Sequence, residues 1–182
     1  MHASTQPHAY VSFLRGINVG GHRKIPMAAL RELCQQLGLF KAQTYIQSGN
    51  LVFQSALSAN ECSVLLEQAI LQAFDFEVPV ITFSKIDFEK VLSEQPFGTT
   101  ELVHVHLTLL AKETAVKLPL DTLDLRQNKV IQKAGVIYLY CPDGYSNCKV
   151  TNEWIERKLA CKASTRNLKT LHHLQSMLES CS

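Results

Sequence analysis

The spacing of apolar residues along this chain switches between strand-like and helix-like periods, and it does so twice in the same order. Tyr10–Leu14 is rich in β-formers and alternates weakly, which predicts a strand. After a glycine-rich stretch, Met27, Leu30, Leu33, Cys34 and Leu37 recur at helical spacing. Pro26 suits the first helical position and Gly38 stops the run. Thr44–Gln47 and Leu51–Gln54 read as strands split by Ser48-Gly49-Asn50, where Gly and Asn tolerate the positive φ of a tight hairpin. Ser58-Ala59-Asn60-Glu61 is a capping box opening a helix that turns Cys62, Leu65, Leu66, Ala69, Ile70 and Ala73 inward. Val78–Phe83 closes the series as a strand, giving the order β-α-β-β-α-β.

A short helix from Ser84 to Gln95, capped by Ser84 and closed before Pro96, links this half to the next. The second half repeats the order less cleanly. Leu102–Leu110 is a strand, and Lys112–Lys117 is one or two helical turns at most. Lys129–Gln132 and Val136–Cys141 form a hairpin around Lys133-Ala134-Gly135. Asn152–Ala160 is a helix with Trp154, Ile155 and Leu159 inward, and Lys162–Thr165 is a last strand. Asn167–Leu178 is a terminal helix burying Leu168, Leu171, Leu174, Met177 and Leu178. The expected fold is α+β: two tandem ferredoxin-like (βαββαβ) subdomains, over 9–84 and 99–182, joined by a linker helix at 85–98, with an extra C-terminal helix.

Composition narrows the class. The chain has 182 residues, 46% hydrophobic and 19% charged, enough to build cores without staples and free of any run near the roughly 20 apolar residues a membrane span needs. Residues 1–8 are polar and do not read as a signal peptide, so the expected location is cytoplasmic. Six cysteines, with no Cys-x-x-Cys pair, are expected as free thiols; only Cys141 and Cys148 could meet across a loop, and nothing in the sequence requires it. Net charge is +2, but it is uneven. Residues 15–32 hold four cations against Glu32, and residues 149–169 hold six against Glu153 and Glu156. Two positive segments on an otherwise acidic chain point to a local anion site rather than to bulk nucleic-acid binding. The plain alternative is a pair of solvated faces.

Three segments carry candidate chemistry. Arg15–Lys24 leaves a strand and leads into a helix. Its glycines let the backbone approach a ligand, the helix lacks a nearby side-chain cap, and Arg15 offers a two-pronged donor for carboxylate or phosphate. Its spacing matches neither the Walker loop nor the dinucleotide fingerprint. Ser48-Gly49-Asn50 is a hairpin that adds donors if it lies beside that loop, since strands one and three are neighbours in such a sheet. Ser164–Thr170 begins another helix, with Thr165 or Asn167 as cap and Arg166 and Lys169 flanking it. Each also has a purely structural reading as a compact turn or ordinary cap.

Other constellations are weaker. His104 and His106 share one face of a strand, but no third metal ligand accompanies them; His172 and His173 are adjacent surface residues. Asp121 and Asp124 are a solvated pair in a loop. No nucleophile-base or paired-carboxylate spacing stands out, and the sequence assigns no cofactor, metal or reaction.

Phe13-Leu14-Arg15-Gly16-Ile17-Asn18-Val19-Gly20-Gly21 with Lys24-Ile25-Pro26-Met27, then Thr44–Phe53, then Ser164-Thr165-Arg166-Asn167 resembles the bacterial family catalogued as domain of unknown function 1697, across residues 9–178. The resemblance implies a cytoplasmic bacterial protein with two ferredoxin-like subdomains and no established activity. Its motif residues fall here on Arg15, Gly16, Asn18, Gly20, Gly21, Ser48, Gly49, Asn50, Thr165, Arg166, Asn167 and Thr170. The chain departs from the pattern at Leu168, where the family has an aromatic. The match is also loose around Ser146-Asn147-Cys148-Lys149, so Ser146 and Lys149 gain no role.

The leading expectation is a small anionic ligand, a nucleotide or phosphorylated metabolite, in one cleft lined by the three segments. A second is an RNA or single-stranded nucleic-acid module stacking bases on Tyr10, Phe13, Tyr45 or Phe53, although the usual aromatic RNA motif is absent. A third is a structural or partner-binding protein in which the motif glycines serve only the fold.

Overall fold

The structure is a computed structural model that describes residues 6–98 and 102–181. It is mixed α/β, with two four-stranded antiparallel sheets and five helices among the described residues. The chain divides into two units. The first runs to Lys90 and takes in the chain from His173 onward; the second is Val91–His172. The division falls inside the expected linker helix rather than on either side of it, and the end of the terminal helix groups with the first unit.

Unit 1 contains β1 (His8–Leu14), α1 (Met27–Gln36), β2 (Phe40–Tyr45), β3 (Asn50–Ser55), α2 (Ala59–Phe74), β4 (Val80–Ser84) and the start of α3 (Lys85–Ser93). Its sheet order is β2-β3-β1-β4. Pro26 is the N-cap of α1 rather than its first helical residue, and Gly38, at φ 72°, ends the helix. The α2 capping box is formed as the sequence predicts: Ser58 Oγ accepts from Glu61 N at 3.3 Å and Glu61 Oε2 accepts from Ser58 N at 2.8 Å. Ala73 is exposed, because α2 buries only the narrower stripe Cys62, Leu66, Ala69 and Ile70.

One face of this sheet packs Tyr10, Leu14, Leu51 and Phe53 against Leu30, Cys34, Leu66 and Ile70. Burying each large side chain of this set is worth about 1.5–3 kcal/mol. The other face buries Val11, Phe13 and Val52, with Phe88 of α3 lying 6.0 Å from Phe13 ring to ring.

Unit 2 contains β5 (Val105–Leu110), β6 (Lys129–Gln132), β7 (Val136–Tyr140), α4 (Asn152–Leu159) and β8 (Ala163–Asn167), and it begins α5 (Leu168–Cys181). Its sheet order, β6-β7-β5-β8, mirrors that of unit 1. Two expectations fail here. Leu102–His104 is a 3₁₀ turn, so the strand starts at Val105. Lys112–Lys117 forms no helix: Pro119 biases the preceding residue toward extended backbone, and the Gln132 side chain accepts from Leu118 N at 2.8 Å and donates to Val116 O at 2.6 Å. Leu118, Leu120, Leu123 and Leu125, from the residues that follow and their 3₁₀ turn at Leu120–Thr122, cover the core instead.

The repeat reaches down to single hydrogen bonds. Leu14 N donates to Gly49 O at 2.8 Å in unit 1, and Leu110 N to Gly135 O at 3.1 Å in unit 2. Arg15 N donates to Pro79 O, and Ala111 N to Lys162 O. Glu67 of α2 accepts from Val80 N at 2.8 Å, while Glu156 of α4 accepts from Ala163 N at 2.9 Å. The hydroxyls of Ser12 and Thr82 lie 2.7 Å apart, as do those of Thr108 and Thr165.

Candidate functional site

In unit 1 the Arg15–Lys24 loop and the β2–β3 hairpin meet, as the adjacency of β1 and β3 requires. Asn18 is the joint. Its backbone is left-handed at φ 55°, which Asn tolerates better than most residues. Its Oδ1 accepts from Ile25 N at 2.9 Å, and its Nδ2 donates to Ile25 O at 3.0 Å and to Gln47 O at 2.8 Å. One side chain thereby closes the loop on itself and ties it to the hairpin. Asn50, fully buried, does the same within the hairpin, donating to Tyr45 O at 3.1 Å and Ser48 Oγ at 3.0 Å. The amides of Asn18 and Asn50 therefore shape the site from within rather than pointing out of it.

Gly49 is needed for a different reason. At φ 78°, a Cβ on it would lie 2.7 Å from Leu14 Cβ and 3.0 Å from Ile17 Cδ1. The hairpin packs directly onto the root of the loop, and no side chain fits between them. Ile46, in the same turn, holds φ 50°, an unfavourable conformation for a β-branched residue.

The outer arc of the loop is open. Val19, Gly20, Gly21, His22, Arg23 and Lys24 are exposed, and Arg15 and Gly16 are half-buried. Arg23 folds back toward the glycine: a Cβ on Gly16 would sit 3.6 Å from its Nη1. The loop delivers the chain to α1, whose N-terminus carries no side-chain cap; Pro26 cannot supply one. Arg23, which is not among the motif residues, and Lys24, which opens the Lys24-Ile25-Pro26-Met27 motif, thus lie just ahead of this helix end. Their signal in the sequence is their position three and two residues before Pro26.

The Thr165-Arg166-Asn167 segment belongs to unit 2. Asn167 Oδ1 accepts from Thr170 N at 2.8 Å and caps α5. Arg166 is half-buried and donates through Nη1 to Ser164 Oγ at 2.8 Å and Thr165 O at 2.9 Å. Thr165 enters a polar cluster that sequence reasoning did not find. Its Oγ1 donates to Asn152 Oδ1 at 2.8 Å, Asn152 Nδ2 donates to Ala163 O at 3.0 Å, and Asn152 N donates to the Tyr145 phenol oxygen at 2.9 Å. The His106 ring stacks on Tyr145 at 4.9 Å. Burial lowers the proton affinity of His106 and raises the pKa of Tyr145. These contacts join residues many positions apart, so no local motif announces them.

His104 and His106 do not share a metal-binding face, since His104 lies in the 3₁₀ turn with its ring edge-on to Tyr140. Among the described residues, no group of three or more His, Cys, Asp or Glu side chains is placed to hold a metal. Tyr10, Phe13 and Phe53 are buried, and Tyr45 stacks on His173 at 3.9 Å. A groove of about 580 Å³ between α1 and β2, lined by Arg31, Glu32, Gln35, Phe40 and Lys41 among others, is lined by none of the loop residues. No described helix is long and apolar enough to cross a membrane.

A family model described as "Protein of unknown function (DUF1697)" matches residues 8–138. The chain belongs to this family. The matched span holds the loop and hairpin motifs of unit 1 and ends before the Thr-Arg-Asn segment. Among solved structures, the chain is similar to the conserved bacterial protein SP0830 from Streptococcus pneumoniae, with 27% identity and a TM-score of 0.73 over 95% of this chain and 99% of that one. No curated protein matches it.

Proposed function

We propose that this DUF1697 protein binds a small anionic ligand, a nucleotide or phosphorylated metabolite, on the outer arc of the Arg15–Lys24 loop in unit 1. The observation that carries this reading is the α1 N-terminus: it has no side-chain cap, and exposed Arg23 and Lys24 stand just before it. First-turn N–H groups that no side chain caps, and the positive end of a ten-residue helix, favour an anion there. The left-handed backbone of Asn18, Arg23 and Ile46 adds support, because strain of this kind gathers at functional sites. Asn18, Gly49 and Asn50 act as the frame, Gly20 and Gly21 as the backbone surface, and Arg15, Arg23 and Lys24 as charge. The capped, electropositive start of α5, with Arg166 and Lys169, is a second anion-binding candidate in unit 2.

The element order of unit 1 and its antiparallel order β2-β3-β1-β4 support a ferredoxin-like reading of that unit. Unit 2 is read as the same plan without its first helix. A cytoplasmic setting, in keeping with six free thiols, completes the proposal.

A thermal-shift screen against nucleotides, sugar phosphates and carboxylates tests it. A ligand at 100 times its Kd stabilises by about 2.7 kcal/mol. The shift should disappear in Arg23→Ala combined with Lys24→Ala and survive in Lys169→Ala. A hit that ignores the first pair would move the site elsewhere.

A further inference from the structure

Four cations gather at one corner of unit 2. Arg157 and Lys158 lie in the last turn of α4, on the same side as Trp154, because residues three and four apart share a helix face. The left-handed C-cap Ala160 then turns the chain back toward the end of β5. There Ala111 N donates to Lys162 O at 2.8 Å, and Cys161 Sγ donates to Lys112 O at 3.7 Å. All four cations are exposed, and none is joined to a carboxylate by an ion pair among the described residues. The neighbouring acids are placed elsewhere. Glu156 accepts from Ala163 N at 2.9 Å, Glu113 lies against Gly135, and Glu153 stands in the first turn of α4.

Arg157 and Lys158 suit the negative end of a helix, but Lys112 and Lys162 lie outside it. The duplicated scaffold does not ask for these charges either. The matching corner of unit 1 follows the left-handed C-cap Asp75 of α2. Counted from the two caps, exposed Gln72 and Ala73 stand where unit 2 has Arg157 and Lys158, and exposed Glu77 where it has Lys162. One fold thus carries an acidic corner in one copy and a basic corner in the other.

Trp154 is the only tryptophan of the chain. It packs against the unit 2 core yet is only half-buried, and Lys158 Nζ stands over its ring, 6.0 Å from the centroid. A partly open ring with cations beside it offers a base a stacking platform and its phosphates their counter-charges.

We propose that this corner of unit 2 binds single-stranded nucleic acid, stacking a base on Trp154 and holding the adjoining phosphates with Lys112, Arg157, Lys158 and Lys162. The sheet aromatics that such a fold would otherwise offer, Tyr10, Phe13 and Phe53, are buried, and α4 supplies the platform instead. An acidic protein would answer the cations but leave the ring without a partner. The surface is separate in the chain from the anion-binding loop proposed for unit 1.

The tryptophan reports on its own site. Oligouridylate titrated into the full chain at about 50 mM salt should quench Trp154 fluorescence to saturation. With four phosphates neutralised, affinity should fall roughly fifty-fold between about 50 and 200 mM salt. Lys158→Glu combined with Lys162→Glu, at two exposed positions, should abolish the quench while thermal unfolding stays unchanged. Trp154→Leu keeps an apolar group on the core and should weaken binding at least about fivefold, read by anisotropy of a labelled oligouridylate. The quench should persist in Arg23→Ala combined with Lys24→Ala. Absence of binding at about 50 mM salt would overturn the proposal. So would equal quenching and affinity with polyglutamate, which would make the corner a reader of charge alone. Binding indifferent to reversal of Lys158 and Lys162, or lost with Arg23 and Lys24, would overturn the location.

Discussion

Units 1 and 2 solve the same packing problem with different parts. Both build an antiparallel sheet in the same order, and both pin it with a matching pair of facing hydroxyls and a matching helix glutamate on the last strand. They differ between their first and second strands. Unit 1 uses these residues for a braced loop and α1; unit 2 lays an irregular leucine-bearing segment with a 3₁₀ turn on its core. Left-handed non-glycine backbone is also more frequent in unit 1, although Asp75 and Ala160 are matching helix C-caps of the two units. Asn18, Arg23, Lys41, Ile46 and Asp75 lie in unit 1, against Arg126 and Ala160 among the described residues of unit 2. In the divergent loop of unit 1, Asn18 and Arg23 are left-handed, and Arg23 is exposed. That contrast supports placing the site in unit 1, beside the α1 N-terminus that carries the reading.

The contrast breaks hardest at the hairpin glycines. Gly49→Ala forces a Cβ into Leu14 and Ile17 at positive φ and should cost roughly 3 kcal/mol in urea unfolding. Gly135→Ala, whose Cβ would meet only Glu113 Cγ at 3.6 Å, should cost less than about 1 kcal/mol. Equal costs would remove the asymmetry between the hairpins. Next comes Asn18→Ala, which deletes three hydrogen bonds and should cost about 2 kcal/mol by the same assay. Faster amide exchange in residues 16–25 than in the parent protein should accompany it. Ile46→Asn sharpens the comparison in the other direction: relieving a β-branched residue from φ 50° should stabilise by about 1 kcal/mol.

The smallest effect belongs to unit 2 and to pH. Burial holds the His106 pKa below its usual 6.5, so the folded state favours the neutral ring. Above that value stability is complete. As pH falls below it the unfolded chain takes up the proton first, and stability declines toward the folded pKa. His106→Phe should flatten this slope in unfolding measured from pH 7 to 5.

Much of the fold was legible because it is written in local periods. The α2 capping box, the stripe of Met27, Leu30 and Cys34, and the Gly38 stop are signals a few residues wide. The missing helix at 112–117 was not legible, because a distant glutamine holds that stretch extended. The candidate site was half legible. The loop and hairpin could be named from their glycines and asparagines, but Asn18 and Asn50 act inward on main-chain carbonyls, and which way an amide points depends on the strand pairing around it. The Tyr145–Asn152–Thr165 cluster was invisible for the same reason: its members meet only once the start of α4 lies against β8.

Backbone amide chemical shifts recorded by NMR while a nucleotide or sugar phosphate is titrated into the full chain test the proposed site most directly. The account predicts the largest changes at Gly20, Gly21, Met27, Ala28 and Ala29, lost in the double substitution of Arg23 and Lys24. Changes confined to residues 164–170, or none across the Arg15–Lys24 loop with any anion tried, would contradict it.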